Sequence, residues 1–311
     1  MIGIDVGGAN VKVATDSGVH TLYCPLWKGV PLRDILSRYR DEGKEGAAVV
    51  MSGELADCFS SKDEGIAWIV RTVRDVFPGA LFYGTDGRFH DSPAPALAAA
   101  NWFAAAVYLH SLYPGGLLVD MGSTTTDIVP LSSPGSLRGL TDLARLQKGY
   151  LLYTGLLRTP VPAVIRNVPI HGIQTPVSSE YFATSADAHL VLGHICAEEY
   201  TCDTPDGQGK DRDSCLRRLA RVVCADLSEI GEQGAIAIAA AFWETQREMV
   251  RAAVLKVQQV SGADPVIAAG TGSRLLVPLL GARDLACDIG DAASALPAHA
   301  VREVMRRDLT W

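Results

Sequence analysis

Two stretches decide the fold, Asp5-Val-Gly-Gly-Ala-Asn10 and Asp120-Met-Gly-Ser-Thr-Thr-Thr-Asp127. Each closes a short apolar run, residues 2–6 and 117–120, and each leads into a second, from 11–15 and 126–131. A strand ending in an acidic residue, a turn of small residues and a returning strand read together as a hairpin. Glycine turns suit phosphate oxygens, because a ligand reaches the backbone N–H groups with no side chain in the way. The first candidate phosphate loop is Gly7, Gly8, Ala9 and Asn10, with Lys12 on the returning strand as a further contact or an outward-pointing residue. The second is Gly122, Ser123, Thr124, Thr125 and Thr126, with hydroxyl donors added to the glycine. Asp5 and Asp120 are candidate catalytic residues and candidate ligands of Mg²⁺, a hard cation that would bridge phosphate oxygens. Either loop alone is as well read as a plain turn, whereas two in the same acidic context favour phosphate. Neither opens a helix with G-x-G-x-x-G, and a Walker A loop is absent, so the common nucleotide motifs are excluded.

Around these loops the pattern occurs twice. After the first hairpin, 21–25 reads as a third strand, 31–40 as a helix and 47–51 as a buried strand. A helix over 64–77, a strand over 80–83 and a long helix over 94–112 follow. The turn Tyr113-Pro-Gly-Gly116 ends this series and the hairpin pattern restarts. Two lobes are therefore expected, 1–115 and 116–311, each an α/β unit of actin-like (ribonuclease-H-like) type. The cleft between them is the expected ligand site, and the last helix, 297–307, is expected to pack back on the first lobe.

The second lobe is less regular. Residues 151–169 contain Pro160, Pro162 and Pro169 and read as extended loop. Residues 185–200 read as a helix that Thr184-Ser-Ala-Asp187 would cap. A second helix spans 214–228 with Ser214 as its N-cap, and a long one spans 234–259. The strand 265–269 runs into Gly270-Thr-Gly-Ser273; Gly270, Thr271 and Gly272 are a third candidate phosphate or nucleotide contact near a helix start, and equally a plain strand-to-helix turn. The polar loop 201–213 crowds Asp203, Asp206, Lys210 and Arg212 together. It could close over a diphosphate, with Lys210 and Arg212 as counter-charges, although composition alone favours a solvated surface loop. Asp127 and Asp203 are the candidate proton acceptors.

The chain has 311 residues, 48% of them hydrophobic and 20% charged, which suits a compact soluble protein of two domains. Its net charge of −7, without a basic run, argues against nucleic acid as the main partner and leaves room for small phosphorylated ligands. The most apolar segments, 94–112 and 235–254, are broken by polar residues and read as core helices rather than membrane spans. Seven cysteines in no regular framework fit a reducing cytoplasm. His194, Cys196, Cys202 and Cys215 lack the paired C-x-x-C spacing of a credible zinc site, so zinc is not expected. An oligomer is compatible with all of this.

Met1-Ile-Gly-Ile-Asp-Val-Gly-Gly-Ala-Asn-Val-Lys12 and Val119-Asp-Met-Gly-Ser-Thr-Thr-Thr-Asp-Ile-Val129 resemble the hydantoinase/oxoprolinase branch of the actin-like ATPase superfamily. Within it, the chain looks like the tetrahydromethanopterin-linked C1-transfer pathway proteins, a group that includes the archaeal methanofuran-biosynthesis condensing enzyme. The loop 201–210 and the 184–187 segment also look like this group. The resemblance implies a transferase of methanofuran or methylofuran formation. Such an enzyme joins an (aminomethyl)furanmethanol diphosphate to a tyramine-type phenol such as γ-glutamyltyramine, making an aryl ether and releasing diphosphate. It also implies an alternative, an ATP-dependent kinase or a hydantoinase/oxoprolinase-like ATPase, but fold alone does not establish ATP as a cofactor.

Overall fold

In the computed structural model, residues 1–307 are described. The first sheet grows from β1 (Ile2–Val6) and β2 (Asn10–Ala14), an antiparallel hairpin in which Asp5 faces Lys12 and Val6 faces Val11. β3 (Val19–Tyr23) adds to β2. A short helix, α1 (Leu32–Ser37), leads to β4 (Ala47–Met51), which lies parallel to β1. β1 and β4 are buried along their whole length, which explains their unbroken apolar sequence: helices cover both faces. Helix α2 (Lys62–Val76), N-capped by Ser61, crosses to β5 (Leu81–Tyr83), with β6 (Phe89–His90) at the edge. The strand order is β3-β2-β1-β4-β5-β6. Helix α3 (Asn101–His110) then passes to the second lobe.

There the topology repeats. β7 (Leu117–Met121) and β8 (Thr126–Pro130) form the hairpin, α4 (Asp142–Lys148) follows, and β9 (Leu151–Leu152) pairs with β8. A mainly helical block comes next. It contains α5 (Val161–Val164), the hairpin β10 (Asn167–Ile170) and β11 (Ile173–Pro176), α6 (Ser185–Val191), α7 (Arg212–Arg221) and α8 (Leu227–Ser261). β12 (Val266–Ala269) returns parallel to β7; α9 (Ser273–Leu280) leads to β13 (Arg283–Asp284) beside it. Read outward from the hairpins, the sheets run β3-β2-β1-β4-β5 and β9-β8-β7-β12-β13, with the same strand directions. This duplicated order is that of the two-lobed actin-like, ribonuclease-H-like α/β fold. After α10 (Ala286–Ile289), helix α11 (Leu296–Arg306) packs on β1, β4 and α3. Gly3 admits it: a Cβ there would overlap the Ala298 carbonyl. Ala48, Val50 and Tyr83 of the first sheet, Leu118, Val129 and Ile267 of the second, and the apolar faces of α3 and α11 share one core between the sheets. Each aliphatic side chain buried there contributes about 1.5–3 kcal/mol. No helix among the described residues is long and apolar enough to cross a membrane.

Several elements differ from their sequence reading. The helix expected over 94–112 begins only at Asn101. Pro95–Leu97 is a single 3₁₀ turn, Ala99 is left-handed at φ 47°, and the Ala100 N–H goes to the Met51 carbonyl. The helix expected over 185–200 stops at Val191, before Gly193 at φ 73°. Ser214 is not the cap of α7; Asp211 is, accepting from the Ser214 N–H at 2.9 Å. The helix expected over 214–228 is two, because Asp226 caps α8, which begins seven residues before the expected 234 and is interrupted at Gly231, φ 66°. The 151–169 segment contains β9, α5 and the start of β10 as well as loop.

Candidate functional site

The two hairpins build the site by the same geometry. In the first, the Gly7 N–H donates to the Asn10 carbonyl at 3.0 Å; in the second, Gly122 donates to Thr125 at 2.9 Å. In the first, Asp5 and Lys12 are cross-strand partners; in the second, at the equivalent places, Asp120 and Asp127 are. Cross-strand partners in an antiparallel pair share a face, so each hairpin presents two charged groups beside its loop. The loops are backed by glycines. Gly53 lies against the Gly7 backbone, where a Cβ would come within 2.9 Å, and Gly155 lies equally close to Gly122 and Thr124.

Electrostatically the four groups are one unit. Burial pushes the Asp5 carboxyl up to about 6, against the pull of Lys12 and with a small push from Asp127. Asp120 rises to about 6 for the same reason, again opposed by Lys12 and helped by Asp127 and Asp5. Since both carboxylates feel Lys12, the lysine acts across both hairpins. Asp127 is also raised by burial, and the Arg145 guanidinium, which ion-pairs with it, opposes the rise. Arg145 is itself buried, stacked 4.4 Å from the Trp102 ring centroid.

Asp5 and Asp120 are 3% and 9% exposed, and Asp5 Oδ1 has no hydrogen-bond partner. An orphaned, buried carboxylate oxygen beside an open N–H loop is what a cation would satisfy. Mg²⁺ typically takes one or two carboxylates and completes its shell with water and phosphate oxygens, so this donor set fits it. Among the described residues no three His, Cys, Asp or Glu side chains converge into a metal cage.

The Gly270–Gly272 turn is brought to the second loop. The Gly272 N–H donates to the Met121 carbonyl at 2.9 Å, and the Thr271 hydroxyl reaches the same oxygen at 3.4 Å. Gly270 is left-handed at φ 80°, and a Cβ there would overlap the Asp120 carboxylate. Asp203 sits elsewhere. It bonds the Lys28 ammonium at 2.7 Å and the Tyr23 hydroxyl at 2.6 Å, both from the first lobe. These two partners hold its carboxyl below the usual range. Lys210 lies 5.4 Å from the Tyr200 ring centroid, and Arg212 pairs with Glu232 at 2.6 Å. The polar loop itself is pinned by fully buried Arg218, which binds Asp187, Asp206 and the Gly209 carbonyl. Asp187 thus closes the α6 capping box with Thr184 and neutralises Arg218.

Sequence reasoning missed Arg145, Gly53, Gly155 and Glu54. Glu54 is 1% exposed with Oε2 unpartnered, and burial raises its carboxyl. Gly53 and Glu54 lie one residue beyond the end of β4, after Ser52, with no spacing motif to flag them, and Gly155 lay in a segment read as loop. His194, Cys196, Cys202 and Cys215 go separate ways. His194 bonds His189, Cys196 packs against Glu199, Cys202 lies near the Leu157 carbonyl, and Cys215 contacts Arg218.

Solved structures of similar shape include nucleotide-free acetone carboxylase, at TM-score 0.47 and 16% identity over 89% of this chain and 44% of that one. This chain spans less than half the length of the carboxylase chain. Another is the activator of 2-hydroxyisocaproyl-CoA dehydratase from Clostridium difficile, at TM-score 0.43 and 12% identity over 99% and 96% of the two chains. In sequence, the chain is 37% identical over 325 aligned positions to the (4-{4-[2-(gamma-L-glutamylamino)ethyl]phenoxymethyl}furan-2-yl)methanamine synthase of Methanocaldococcus jannaschii, covering 99% of this chain and 98% of that protein. The protein of the same name from Methanococcus vannielii is 39% identical over 51% of this chain and 72% of its own. The hydantoinase/oxoprolinase profile matches residues 45–287, from the first residues before β4 to beyond β13. On a profile match across most of its length and near-complete coverage of a close relative, the chain belongs to the hydantoinase/oxoprolinase family.

Proposed function

We propose that this chain is a synthase of the same kind as its archaeal relatives, forming the aryl ether of a methanofuran- or methylofuran-type cofactor. The observation that carries the reading is the alignment to the Methanocaldococcus jannaschii synthase across nearly the whole of both chains, which spans both phosphate loops and the polar loop. The linkage in that relative's name is a phenoxymethyl-furan ether, and the paired loops suit a furan diphosphate as its precursor.

The chemistry follows from the site. The bond that breaks joins the furan-bearing CH₂ to a diphosphate oxygen, and its electron pair leaves with the diphosphate. The bond that forms joins the phenol oxygen to that carbon, and the phenolic proton is released. The furan ring shares the positive charge that develops on the carbon. Stabilising the departing oxygens therefore dominates the barrier. The N–H groups of Gly8 and Ala9 and of Ser123 and Thr124 would bind those oxygens, with Lys12 and the hydroxyls of Ser123–Thr125 beside them; the Thr126 hydroxyl is taken up by the Thr154 carbonyl. Asp5 and Asp120 would hold Mg²⁺, whose charge would add to the leaving-group stabilisation. Asp127, raised by burial, is the better of the two candidate bases; Asp203, already held by Lys28 and Tyr23, has little affinity for a proton. Asp203 and its partners instead join the polar loop to the first lobe. Lys210, in that same loop, would add positive charge near the substrate, and Gly270–Gly272, packed against Asp120 and Met121, would hold the Asp120 carboxylate in place.

The test is a coupled assay with purified protein, Mg²⁺, the furan diphosphate and a tyramine-type phenol. Ether product and diphosphate are expected in equal amounts, and no diphosphate without the phenol. Absence of the ether with both substrates present would overturn the reading.

A further inference from the structure

We propose that Arg158 is a diphosphate-binding residue, a guanidinium held between the two phosphate loops to grip the leaving group; this rests on the diphosphate reading above. Arg158 is strapped to the second loop through its backbone. Its N–H and that of Leu157 both donate to the Ser123 carbonyl at 2.9 Å, and Leu156 donates to Gly122 at 2.9 Å. Its side chain reaches the Thr124 hydroxyl at 3.4 Å, so the head group stays beside that loop.

The same guanidinium stacks on a residue strapped to the other loop. Its Cζ lies 4.7 Å from the centroid of the Trp27 ring. Trp27 sits in a single turn, Leu26–Lys28, whose first N–H donates to the Gly8 carbonyl at 3.0 Å. Just before it, the Cys24 N–H donates to Ala9 at 2.9 Å. One cation is thus positioned by both loops at once, and it spans the gap that a ligand held by both must occupy.

Its bonding state suits an anion. Among the described residues no carboxylate lies within ion-pair distance of Arg158, unlike Arg145 and Arg218, whose charges are neutralised by buried aspartates. Stacking on the indole fixes the plane of the guanidinium and leaves its N–H edge for a bidentate partner. The charge balance also calls for it. With Asp127 matched by Arg145, and Asp5 and Asp120 matched by the Mg²⁺ they would hold, only Lys12 is left to face the charge of a diphosphate, so a further cation suits the site. Lysine would supply the charge without the planar fork.

Calorimetric titration of the full chain with inorganic diphosphate, in Mg²⁺, tests this. Wild-type protein is expected to bind, and R158Q about tenfold to a hundredfold more weakly, the worth of charge-assisted hydrogen bonds. R158K is expected to fall between them and guards against R158Q failing to fold. In the coupled assay, KM for the furan diphosphate should rise in both variants while KM for the phenol stays. Diphosphate should also change the indole emission of wild type and not of W27F. Equal diphosphate affinity in wild type, R158Q and R158K would overturn the inference, and so would a change confined to melting temperature, which marks a strut between the lobes. If wild type itself bound no diphosphate, the diphosphate reading would fall first and this inference with it.

Discussion

Replacing Asp120 by asparagine is expected to make the ligand-free protein more stable while abolishing its activity. Burial lifts the Asp120 carboxyl from 3.8 to about 6. At 1.36 kcal/mol for each tenfold change in proton affinity, the ionised form costs the fold about 3 kcal/mol. The sign follows from the direction. A carboxyl whose folded value is raised favours the fold fully below its unfolded value, where both states are protonated. That advantage is lost as pH rises through the folded value. At about pH 4.5 the cost is still only about 1 kcal/mol, and by about pH 7.5 it is complete. Asparagine keeps the shape and removes the charge, so its melting temperature in EDTA should exceed that of wild type by several degrees at about pH 7.5. Near pH 4.5 the gain should shrink to about a third, since the folded wild-type carboxyl is then almost wholly protonated while the unfolded one is still mostly ionised. Added Mg²⁺ should stabilise wild type and leave the variant unchanged. An asparagine variant that melts lower, or by the same margin at both pH values, would refute the claim that Asp120 is held ionised against its environment.

Gly270→Ala should cut activity at least tenfold, because its methyl group meets the Asp120 carboxylate from a left-handed backbone costing about 1–2 kcal/mol; initial rates against circular dichroism separate site damage from unfolding. Asp187→Ala should cost about 3 kcal/mol in denaturant melts, because it removes the fully buried partner of the fully buried Arg218 and leaves it only the partly exposed Asp206, and should expose the 201–211 loop to limited proteolysis. Asp203→Asn should cost less than about 1 kcal/mol, since its pair with Lys28 is half exposed. Activity should rise from about pH 5 to pH 7 as Asp5 and Asp120, both near 6, ionise, and it should fall on removing Mg²⁺ with EDTA. ATP titrated in place of diphosphate is expected to bind weakly; tight ATP binding would favour a kinase or ATPase instead.

The sequence carried the hairpins because strand, acidic residue and small turn are written in consecutive residues, and both came out within one or two residues of the expected ends. It failed where distant parts decide. Ala94–Ala100 carries good helix formers, yet Pro93 and Pro95 and the Met51 carbonyl turn that stretch aside. Ser214 is a sound cap in isolation, and Asp211 outcompetes it three residues earlier. The site is legible in the same measure. Asp5, Asp120 and the glycines announce themselves, whereas Arg145 and Arg158 meet their partners across gaps of eighteen and thirty-four residues. Those meetings depend on the fold and leave no spacing to read.

The placement of α11 has a consequence for biosynthesis. Arg302 donates to the carbonyls of Met1 at 3.0 Å and Thr15 at 2.7 Å, and Ala298 lies against Gly3. The first sheet, though made first, lacks one covering layer until residues 296–306 leave the ribosome. From the end of β6 at His90 to the end of α11 at Arg306, at about 5–20 residues per second, that is a wait of about 10–45 s. Through this interval Ala48 and Val50 of β4, and the Gly3 side of β1, lack the helix that will cover them, and the core shared by the two sheets stays incomplete. Holding the first lobe safely during synthesis therefore falls to chaperones or to slow, late docking, and a stop codon anywhere before α11 would release a protein with its first sheet uncovered.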